Sequence, residues 1–341
     1  MRYIGGKSAI VEKIYDCILS NTDGVQSVFD IFAGSGAVTQ YLVSKGFDTI
    51  SNDYLYFSYV LQRGTVGLVR KPDFRNLNIA DPIEYLNSLT FQNTGFKTAE
   101  LFVYNNYSPN GNCCRMYFQP ENAIKIDIIR LTIERWYNDG LVDEDEYYYL
   151  LACLISAVPF VSNIAGVYAA YLKHWDKRTF NKLTLVAPLL LEAKVGCKCY
   201  NNDYMDVLGL PVDLVYADPP YNSREYFPNY HILETIARYD YPDIKGVTGI
   251  RCYKKFKSPF CSKKSVEQAF ENLIRQCSAR YLLISYNNEA LLPTSRLSEM
   301  CSDYAINNSF KLIEFDYRRY KSKIPNNNGG LKEQLYFLQL K

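Results

Sequence analysis

The chain has 341 residues and a formal net charge of +2 at pH 7. This length accommodates a catalytic core together with an insertion or second lobe. The near-zero charge excludes a bulk polycation, so any binding to nucleic acid must depend on local basic patches. No apolar run approaches the roughly 20 residues of a membrane-spanning helix, and no apolar signal segment precedes Arg2. We therefore expect a cytoplasmic protein.

The ten cysteines and two histidines lack the spacing of a metal site. Cys113 and Cys114 are adjacent, and Cys197 and Cys199 are two positions apart. Zinc sites use paired ligands at regular separations, with histidines often completing the set. We expect reduced thiols and no bound metal.

The first predicted strand leads into a glycine loop. After an opening helix, an apolar run over residues 28–33 is followed by Gly34-Ser35-Gly36 and by a helix that begins at Ala37. Glycines at this point let the backbone approach a ligand closely and present N–H groups at a helix N-terminus. The pattern predicts a loop that binds a nucleotide-like cofactor.

The next predicted strand, residues 47–53, ends in an acid. Asp53 lies about 20 residues after the glycines, where dinucleotide-binding folds place the carboxylate that holds a ribose hydroxyl. The full Gly-x-Gly-x-x-Gly pattern of those folds is absent, which disfavours a dinucleotide. S-adenosylmethionine uses the same strand–loop–strand geometry and is compatible with the shorter pattern.

Residues 58–190 contain few signals of parallel strands. Helical patterns occur at residues 123–137 and 143–157, and the second opens with four carboxylates. Strand patterns return at residues 198–200, 214–217, 281–285, 311–315 and 335–338, and residues 326–330 predict a hairpin connection. The chain thus predicts one α/β sheet, formed by residues 1–57 and 191–341 and interrupted by a largely helical insertion at 58–190.

The tetrapeptide Asp218-Pro219-Pro220-Tyr221 directly follows the strand predicted at 214–217. The two prolines fix their own φ angles and restrict the residue before each, so Asp218 and Tyr221 project rigidly from the strand end. Open α/β sheets bind ligands at that end. A carboxylate there can accept a hydrogen bond from an amino group, and a tyrosine ring can stack on a base. By itself, the tetrapeptide is equally typical of a strand-ending turn.

Three motifs, in this order, resemble those of the Dam-type class of DNA adenine methyltransferases: Tyr3-Ile4-Gly5-Gly6-Lys7, Phe32-Ala33-Gly34-Ser35-Gly36 and Asp218-Pro219-Pro220-Tyr221. Within that class, the chain is more similar to the modification enzymes of type II restriction systems, of the FokI and NlaIII kind. Further similar stretches are residues 167–173, 222–226, 229–231, 285–289 and 333–336. The resemblance extends from residue 3 to the C-terminal end.

The resemblance implies a Rossmann-like, S-adenosylmethionine-dependent methyltransferase sheet whose insertion at 58–190 is the target-recognition region. It implies methyl transfer from S-adenosylmethionine to the exocyclic 6-amino group of an adenine flipped out of double-stranded DNA. The expected setting is a restriction-modification system of a prokaryotic cell or a phage. A cognate restriction endonuclease is then a partner in function rather than in a complex, with no membrane and no metal involved.

The chemistry of adenine suggests the catalytic roles. The lone pair of its amino nitrogen is delocalised into the ring, so Asp218 and the carbonyl of Pro219 would each accept one N–H and turn the lone pair toward the donor methyl. Tyr221 would stack on the flipped base, with Tyr226 or Phe227 as alternatives. The predicted catalytic residues are Asp218, Pro219, Pro220 and Tyr221.

The expected cofactor-binding residues come from the N-terminal motifs and from the strand ends. Asp53 would hold the cofactor ribose, Asp203 the cofactor's adenine amine, and Lys7 or the loop at residues 34–36 the methionine end. The full set is Tyr3, Gly6, Lys7, Asp30, Phe32, Gly34, Gly36, Asp53 and Asp203.

Three clusters combine basic and aromatic residues, at 251–257, 173–178 and 318–323. Cations neutralise phosphates, and aromatic rings stack on exposed bases. The first cluster follows the catalytic segment and is the stronger candidate, although any single charge run is equally typical of a solvated face. The predicted DNA-binding residues are Arg251, Lys254, Lys255, Lys257, Lys173 and Arg178.

Two other functions remain compatible with the sequence. One is methylation of adenine in RNA. The other is a non-catalytic DNA-binding relative that keeps the fold. The intact Gly34-Ser35-Gly36 and Asp218–Tyr221 motifs argue against a loss of catalysis, and a cofactor-binding titration distinguishes that case.

Overall fold

The structure, a computed structural model, describes residues 5–110, 113–191, 196–316 and 330–340. Tyr3, the basic cluster at 318–323 and residues 326–329 of the predicted hairpin connection lie outside these ranges. In the described residues, the helices are α1 (Val11–Asn21), α2 (Ala37–Ser44), α3 (Tyr56–Arg63), α4 (Pro82–Ser88), α5 (Phe102–Tyr107), α6 (Pro120–Asn138), α7 (Glu144–Ala157), α8 (Tyr204–Val207), α9 (Tyr226–Arg238), α10 (Val266–Gln276) and α11 (Thr294–Tyr304). The strands are β1 (Ser27–Asp30), β2 (Asp48–Asn52), β3 (Lys198–Tyr200), β4 (Leu214–Ala217), β5 (Ile244–Lys245), β6 (Ile250–Arg251), β7 (Tyr281–Asn287), β8 (Lys311–Asp316) and β9 (Lys332–Gln339).

One mainly parallel sheet organises the molecule. Its seven strands have the order β3-β2-β1-β4-β7-β9-β8. The first five run parallel to one another, and β9 is antiparallel to both β7 and β8. The predicted Rossmann-like α/β sheet is confirmed. Because the chain runs outward from β1 to β3 and then returns to place β4 beside β1, the strand order reverses between β1 and β4, which is where such sheets bind ligands.

Strands β1 and β4 are apolar because both faces of the sheet are covered. Val28 and Leu214 pack on the face that holds α1 and α2. Phe29 and Val215 pack on the opposite face, against α10 and α11. All four side chains are fully buried, which explains the near-continuous apolar runs of these strands. Polar side chains that face the ligand-binding edge begin only where the strands end.

The segment between β2 and β3 is helical, and the described residues there form no strand. Helices α6 and α7 correspond to the patterns predicted at 123–137 and 143–157. The carboxylate of Asp143 accepts from the Glu146 N–H, and the Glu146 side chain accepts from the Asp143 N–H, both at 2.9 Å. This reciprocal capping box explains why α7 begins where its run of carboxylates begins.

The helices of this segment share a core with α9. Buried side chains of α3, α5, α6 and α7 form one apolar cluster together with Phe227, Tyr230 and Leu233 of α9. Since α9 follows the Asp218 loop, the inserted helices are packed directly behind that loop. In the described part of the chain, no helix is both long enough and apolar enough to cross a membrane.

Two helices are capped by carboxylates that are distant in sequence. Helix α3 has no side-chain cap of its own, and Glu234 of α9 accepts from the backbone N–H groups of Tyr56 at 3.1 Å and Phe57 at 3.0 Å. Helix α5 is capped in the same way by Asp127 of α6. Unsatisfied N–H groups at a helix start require such partners, so these carboxylates join the inserted helices to one another and to α9.

Replacing Glu234 with Ala is expected to destabilise the protein. Glu234 is fully buried, and its loss leaves two N–H groups of α3 without acceptors, at a cost of roughly 2–4 kcal/mol in the free energy of unfolding. Urea denaturation measures this change. Replacing Glu299 with Ala, an exposed glutamate of α11 paired only with Arg296, is the matched control and should change stability little. Equal losses in the two variants would contradict the capping role of Glu234.

Candidate active site

A cleft opens at the carboxyl ends of β1, β2 and β4, where the strand order reverses. Residues of the glycine loop form its floor, and its mouth is formed by the start of α9 and by residues 256–259. The predicted catalytic and cofactor-binding residues that line it are Gly6, Lys7, Asp30, Phe32, Gly34, Asp53, Asp203, Asp218 and Pro220. Strands from distant parts of the sequence end at this edge, so the fold brings the predicted cofactor-binding and catalytic residues together.

The glycine loop is held by Asp53 at the end of the neighbouring strand. The Gly34 N–H donates to Oδ2 of Asp53 at 2.7 Å, and the Leu55 N–H donates to Oδ1 at 2.8 Å. Gly34 and Gly36 have φ angles of +52° and +76°, a region that glycine adopts with little strain. Gly36 is the N-cap of α2, so the loop presents the start of that helix to the cleft.

Asp30 supplies an unused acceptor to the cleft. Its Oδ2 accepts from the Thr39 hydroxyl at 2.7 Å, whereas Oδ1 is buried and has no hydrogen-bond partner among the described residues. Burial raises the pKa of Asp30 to about 7, as it does for Asp53. A buried carboxylate oxygen without a donor is costly, and a ligand that carries an N–H group would satisfy it.

The lining of the cleft is acidic. Asp30, Asp53, Asp203 and Asp218 all contribute to it. Asp203 is exposed and also caps α8, accepting from the Met205 N–H at 3.0 Å. A concave surface with several carboxylates favours a cationic ligand over an anionic one. These hydrogen-bond acceptors therefore fit a small cationic molecule that carries N–H or O–H groups.

Asp218 lies in a buried hydrogen-bonded cluster, which we call the carboxylate cluster. It consists of Lys7, Asp218, Tyr221, Ser285 and Glu333. Oδ1 of Asp218 receives Nζ of Lys7 at 2.9 Å and the Tyr221 hydroxyl at 2.7 Å. Oδ2 has no hydrogen-bond partner among the described residues. The pKa of Asp218 is raised to about 7, because burial and the Glu333 charge together exceed the lowering effect of Lys7. One oxygen of Asp218 is thus fixed, and the other remains available to a substrate.

The structure corrects the predicted role of Lys7. Its ammonium group lies between the two carboxylates, 2.9 Å from Asp218 Oδ1 and 3.0 Å from Glu333 Oε1, and it also contacts the Tyr221 hydroxyl. Burial lowers the pKa of Lys7, but the attraction of Asp218 and Glu333 exceeds that effect, so the net shift is upward. Three acceptors occupy its three donors, and none is left for the methionine end of a cofactor.

The structure also changes the expectation for Tyr221. Its hydroxyl donates into the carboxylate cluster, with Asp218 and Glu333 oxygens each at 2.7 Å, and its ring meets Tyr286 edge to face at 5.3 Å. It does not belong to the lining of the cleft, which contains Tyr226 instead. Phe227 also reaches the lining but is stacked against Phe256 at 4.7 Å. The ring of Tyr226 stacks on that of Tyr230 at 6.5 Å.

The close contact between Gly5 and Tyr226 explains why the N-terminal motif has a glycine at this position. Gly5 has a φ angle of +73°, and a Cβ atom there would lie 2.8 Å from the Tyr226 hydroxyl. A larger residue would displace either the backbone or Tyr226. Gly5 thus leaves space for the Tyr226 side chain at the mouth of the cleft. Lys7 of the same motif belongs to the carboxylate cluster.

Motif analysis does not single out Glu333 or Ser285 as site residues. Glu333 lies at the start of β9 and Ser285 within β7, and the Ser285 hydroxyl donates to Glu333 Oε1 at 2.8 Å. Both occur in stretches that resemble the methyltransferase class, at 285–289 and 333–336. The sequence feature that could identify them is that each is a polar residue inside an otherwise apolar strand pattern.

The basic segment after α9 lies at the rim of the cleft. Lys254, Lys255 and Lys257 are exposed, and Lys257 belongs to the lining. The Tyr54 hydroxyl donates to the backbone carbonyl of Lys255 at 2.8 Å, and its ring lies 5.2 Å from that of Phe256. This segment is therefore fixed to the residue that follows Asp53.

Two of the predicted DNA-binding arginines are engaged within the protein. Arg251 is 7% exposed and forms a bidentate pair with Asp240, at 2.8 and 2.5 Å, so the predicted phosphate contact is not supported. Arg178 binds Asp176 and the carbonyl of Ile164 and thereby shapes its own loop. Lys173 is exposed, and its predicted role remains a prediction.

The described residues contain no cluster of three or more histidine, cysteine or acidic side chains that could hold a metal ion. The ten cysteines are free thiols. Cys197 and Cys199 lie near β3, where the Cys199 thiol donates to the carbonyl of Cys197.

Comparison with known proteins identifies relatives along the whole chain. The family model for D12 class N6 adenine-specific DNA methyltransferases matches residues 3–300. The chain is 41% identical to type II methyltransferase M.FokI of Planomicrobium okeanokoites, an alignment that covers 99% of this chain and 52% of that protein. It is 34% identical to type II methyltransferase M.NlaIII of Neisseria lactamica, covering 100% and 98%. It is 36% identical to type II methyltransferase M.CviAII of Paramecium bursaria Chlorella virus 1, covering 99% and 98%.

The relatives differ in length. The chain spans about half the length of M.FokI and of the modification methylases StsI and LlaI. It spans nearly all of M.NlaIII and M.CviAII. The similarity in each case covers the glycine loop, the inserted helices and the Asp218 loop.

The buried aspartates of the cleft predict a dependence of stability on pH. Asp30 has a pKa of about 7 when folded and an ordinary value of 3.8, so between pH 4 and 7 the folded state holds a proton that the unfolded state lacks. Its contribution therefore makes stability fall as pH rises, by at most about 1.4 kcal/mol per pH unit. Asp30→Asn, which cannot ionise, should reduce this slope in urea denaturation at pH 5, 6 and 7.

The exposed residue Asp16 supplies the control. Asp16→Asn, at an exposed position of α1, should leave the slope of stability against pH as in the parent. If Asp30→Asn also left the slope unchanged, Asp30 would be ionised across this range, and the desolvation argument for the cleft would fail.

Proposed function

The chain belongs to the family of D12 class N6 adenine-specific DNA methyltransferases, and we propose that it transfers a methyl group from S-adenosylmethionine to the 6-amino group of adenine in double-stranded DNA. The observation that carries this proposal is the placement of Asp218. One of its oxygens is fixed by Lys7 and Tyr221, and the other remains available beside the cleft.

The residues around Asp218 account for the chemistry. The amine of adenine is a poor nucleophile because its lone pair is delocalised into the ring. Oδ2 of Asp218 and the carbonyl of Pro219 accept its two N–H groups, which localises the lone pair on nitrogen. The prolines hold both acceptors in place, so catalysis depends on position and electrostatics, without a covalent enzyme intermediate.

The aspartates of the cleft hold the cofactor in this proposal. S-adenosylmethionine supplies an electrophilic methyl group on a positively charged sulfur when bound. Asp30 accepts from its ammonium group through the unused Oδ1, Asp53 from its ribose, and Asp203 from its adenine amine. The acidic lining supports this assignment, because both the sulfonium and the ammonium groups are cationic.

The target base must leave the duplex, since its amine is otherwise inside the stack. We assign the stacking role to Tyr226, which lines the cleft beside Asp218. Tyr221 then acts through its hydroxyl, by holding Asp218. Stacking of a base on an aromatic side chain contributes roughly 1–3 kcal/mol, enough to stabilise the flipped state.

The basic rim binds the DNA backbone. Lys254, Lys255 and Lys257 are exposed beside the mouth of the cleft, where phosphates flanking a flipped adenine would lie. The inserted helices between β2 and β3 form the second part of the DNA-facing surface, with Lys173 as a candidate contact. The relatives are named type II methyltransferases and modification methylases, and we infer a modification role beside a restriction endonuclease, without a stable complex.

A direct assay tests the proposed activity. Double-stranded DNA of mixed sequence is incubated with the protein and S-adenosylmethionine, and N6-methyladenine is then located by sequencing. Methylation at one recurring sequence is the expected result. Methylation only of RNA presented in parallel, or binding of cofactor without transfer to DNA, would exclude the proposal.

Asp218→Ala is expected to abolish transfer while cofactor affinity stays within a few-fold of the parent. The loss of one positioned acceptor should reduce the rate by about 10²–10³-fold. Single-turnover methylation and a cofactor titration measure the two quantities, with Asp16→Ala as the control that retains both. A variant that keeps more than about a tenth of the rate would remove Asp218 from the reaction.

The triple replacement Lys254→Ala, Lys255→Ala and Lys257→Ala should weaken binding to all DNA sequences alike. The slope of log affinity against log salt concentration should fall by about 0.9 for each lost phosphate contact. Lys13→Ala with Lys311→Ala is the control, because these lysines lie along α1 and β8, away from the cleft. An unchanged slope in the triple variant would make the segment an ordinary solvated face.

A further inference from the structure

Glu333 is a buried carboxylate that shares hydrogen-bond donors with Asp218, and the proposed mechanism gives it no role. It is 2% exposed and is the second residue of β9, where it pairs in register with Asn287 of β7. Its Oε1 lies 3.0 Å from Lys7 Nζ, 2.7 Å from the Tyr221 hydroxyl and 2.8 Å from the Ser285 hydroxyl. The family model matches residues 3–300, so Glu333 lies beyond the matched range.

Glu333 and Asp218 share the same two donors. Lys7 and Tyr221 each lie within hydrogen-bond distance of both carboxylates. A tyrosine hydroxyl has a single proton, so it can donate to only one carboxylate at a time. Ser285 compensates by donating to Glu333 Oε1 at 2.8 Å. This arrangement allows Tyr221 to donate to Asp218 while Glu333 remains hydrogen-bonded.

The charges of the cluster do not balance. Two buried carboxylates face one ammonium group, and the charge of Asp218 also raises the pKa of three nearby groups: Asp30 of β1, Tyr216 of β4 and Tyr226 of α9. The Glu333 charge is one of the causes that raise the pKa of Asp218 to about 7, after burial. Removing that charge leaves Lys7 opposite Asp218 alone.

We propose that Glu333 is a positioning residue, which holds Lys7 and the Tyr221 hydroxyl against Oδ1 of Asp218 so that Oδ2 is the oxygen that meets the target amine. This inference rests on the proposed methyl transfer to adenine. Glu333 does not touch the substrate. It acts through the two side chains that it orients and through the charge that it adds to the cluster.

The sign of the expected pH effect follows from this arrangement. Asp218 accepts from the amine only as a carboxylate, so the rate falls at low pH as Asp218 is protonated. Glu333→Gln keeps the shape and one acceptor but removes a negative charge, which makes Asp218 easier to ionise. The acid limb of the profile of kcat against pH should therefore move to lower pH than in the parent.

The experiment compares Glu333→Gln, Glu333→Ala and the control Glu314→Gln. Glu314 is a partly exposed glutamate of β8 that bonds Gln334 and Lys332, so its variant should keep the parental profile. Glu333→Ala removes the acceptor of three donors, and kcat should fall by about 10²-fold, as for one lost transition-state interaction. The KM for S-adenosylmethionine should stay within a few-fold in all three variants, because Glu333 does not line the cleft.

The outcomes separate the inference from the activity on which it rests. A parent protein that methylates no adenine in DNA contradicts the proposed function itself. An active parent with an unchanged rate and pH profile in Glu333→Gln overturns the role of Glu333. If the Glu333 variants do not fold, Ser285→Ala provides the test of the inference. It removes one hydrogen-bond donor to Glu333 Oε1 and leaves the Asp218 side chain unchanged. It should lower kcat several-fold at constant KM, and an unchanged kcat would overturn the inference.

Discussion

The ion pair that Lys7 forms with Asp218 and Glu333 is the interaction on which the site depends. It joins the segment before α1 to the loop after β4 and to the start of β9. Burial of two carboxylates around one ammonium group is costly unless further donors bind the carboxylates. Tyr221 donates to Asp218 Oδ1 and Ser285 to Glu333 Oε1, so the cluster holds Asp218 in one orientation. Pro219 and Pro220 restrict the backbone conformation at Asp218, and the carboxylate cluster restricts the orientation of its side chain.

The reversal of strand order next to β1 explains why so many carboxylates meet in one cleft. Asp30, Asp53 and Asp218 each follow or end a different parallel strand, and parallel strands end at the same edge. Desolvation there raises the pKa of all three to about 7. The folded protein without ligand thus carries an electrostatic cost, which a cationic ligand would relieve. The buried aspartates therefore affect both the free energy of unfolding and the ligand binding proposed for the cleft.

The inserted helices contribute to the site indirectly. They share a core with α9, and Glu234 of α9 caps α3 through buried hydrogen bonds. Helix α9 in turn carries Tyr226 to the mouth of the cleft. Tyr54, directly before α3, fixes the basic rim through the backbone of Lys255. The surface proposed to face DNA is therefore connected to the cofactor loop by short, packed segments.

The sequence alone predicts the sheet, the helical segment between β2 and β3 and the position of Asp218 at a strand end. Local patterns suffice for these features: apolar runs mark buried strands, the Asp143 capping box marks the start of α7, and prolines fix the Asp218 loop. The contacts of the side chains, by contrast, follow only from the three-dimensional fold. Glu333 reaches Tyr221 across 112 positions because β9 inserts beside β7. For the same reason, Lys7 is bound to Glu333. Such pairings depend on strand order and register, which no local pattern encodes.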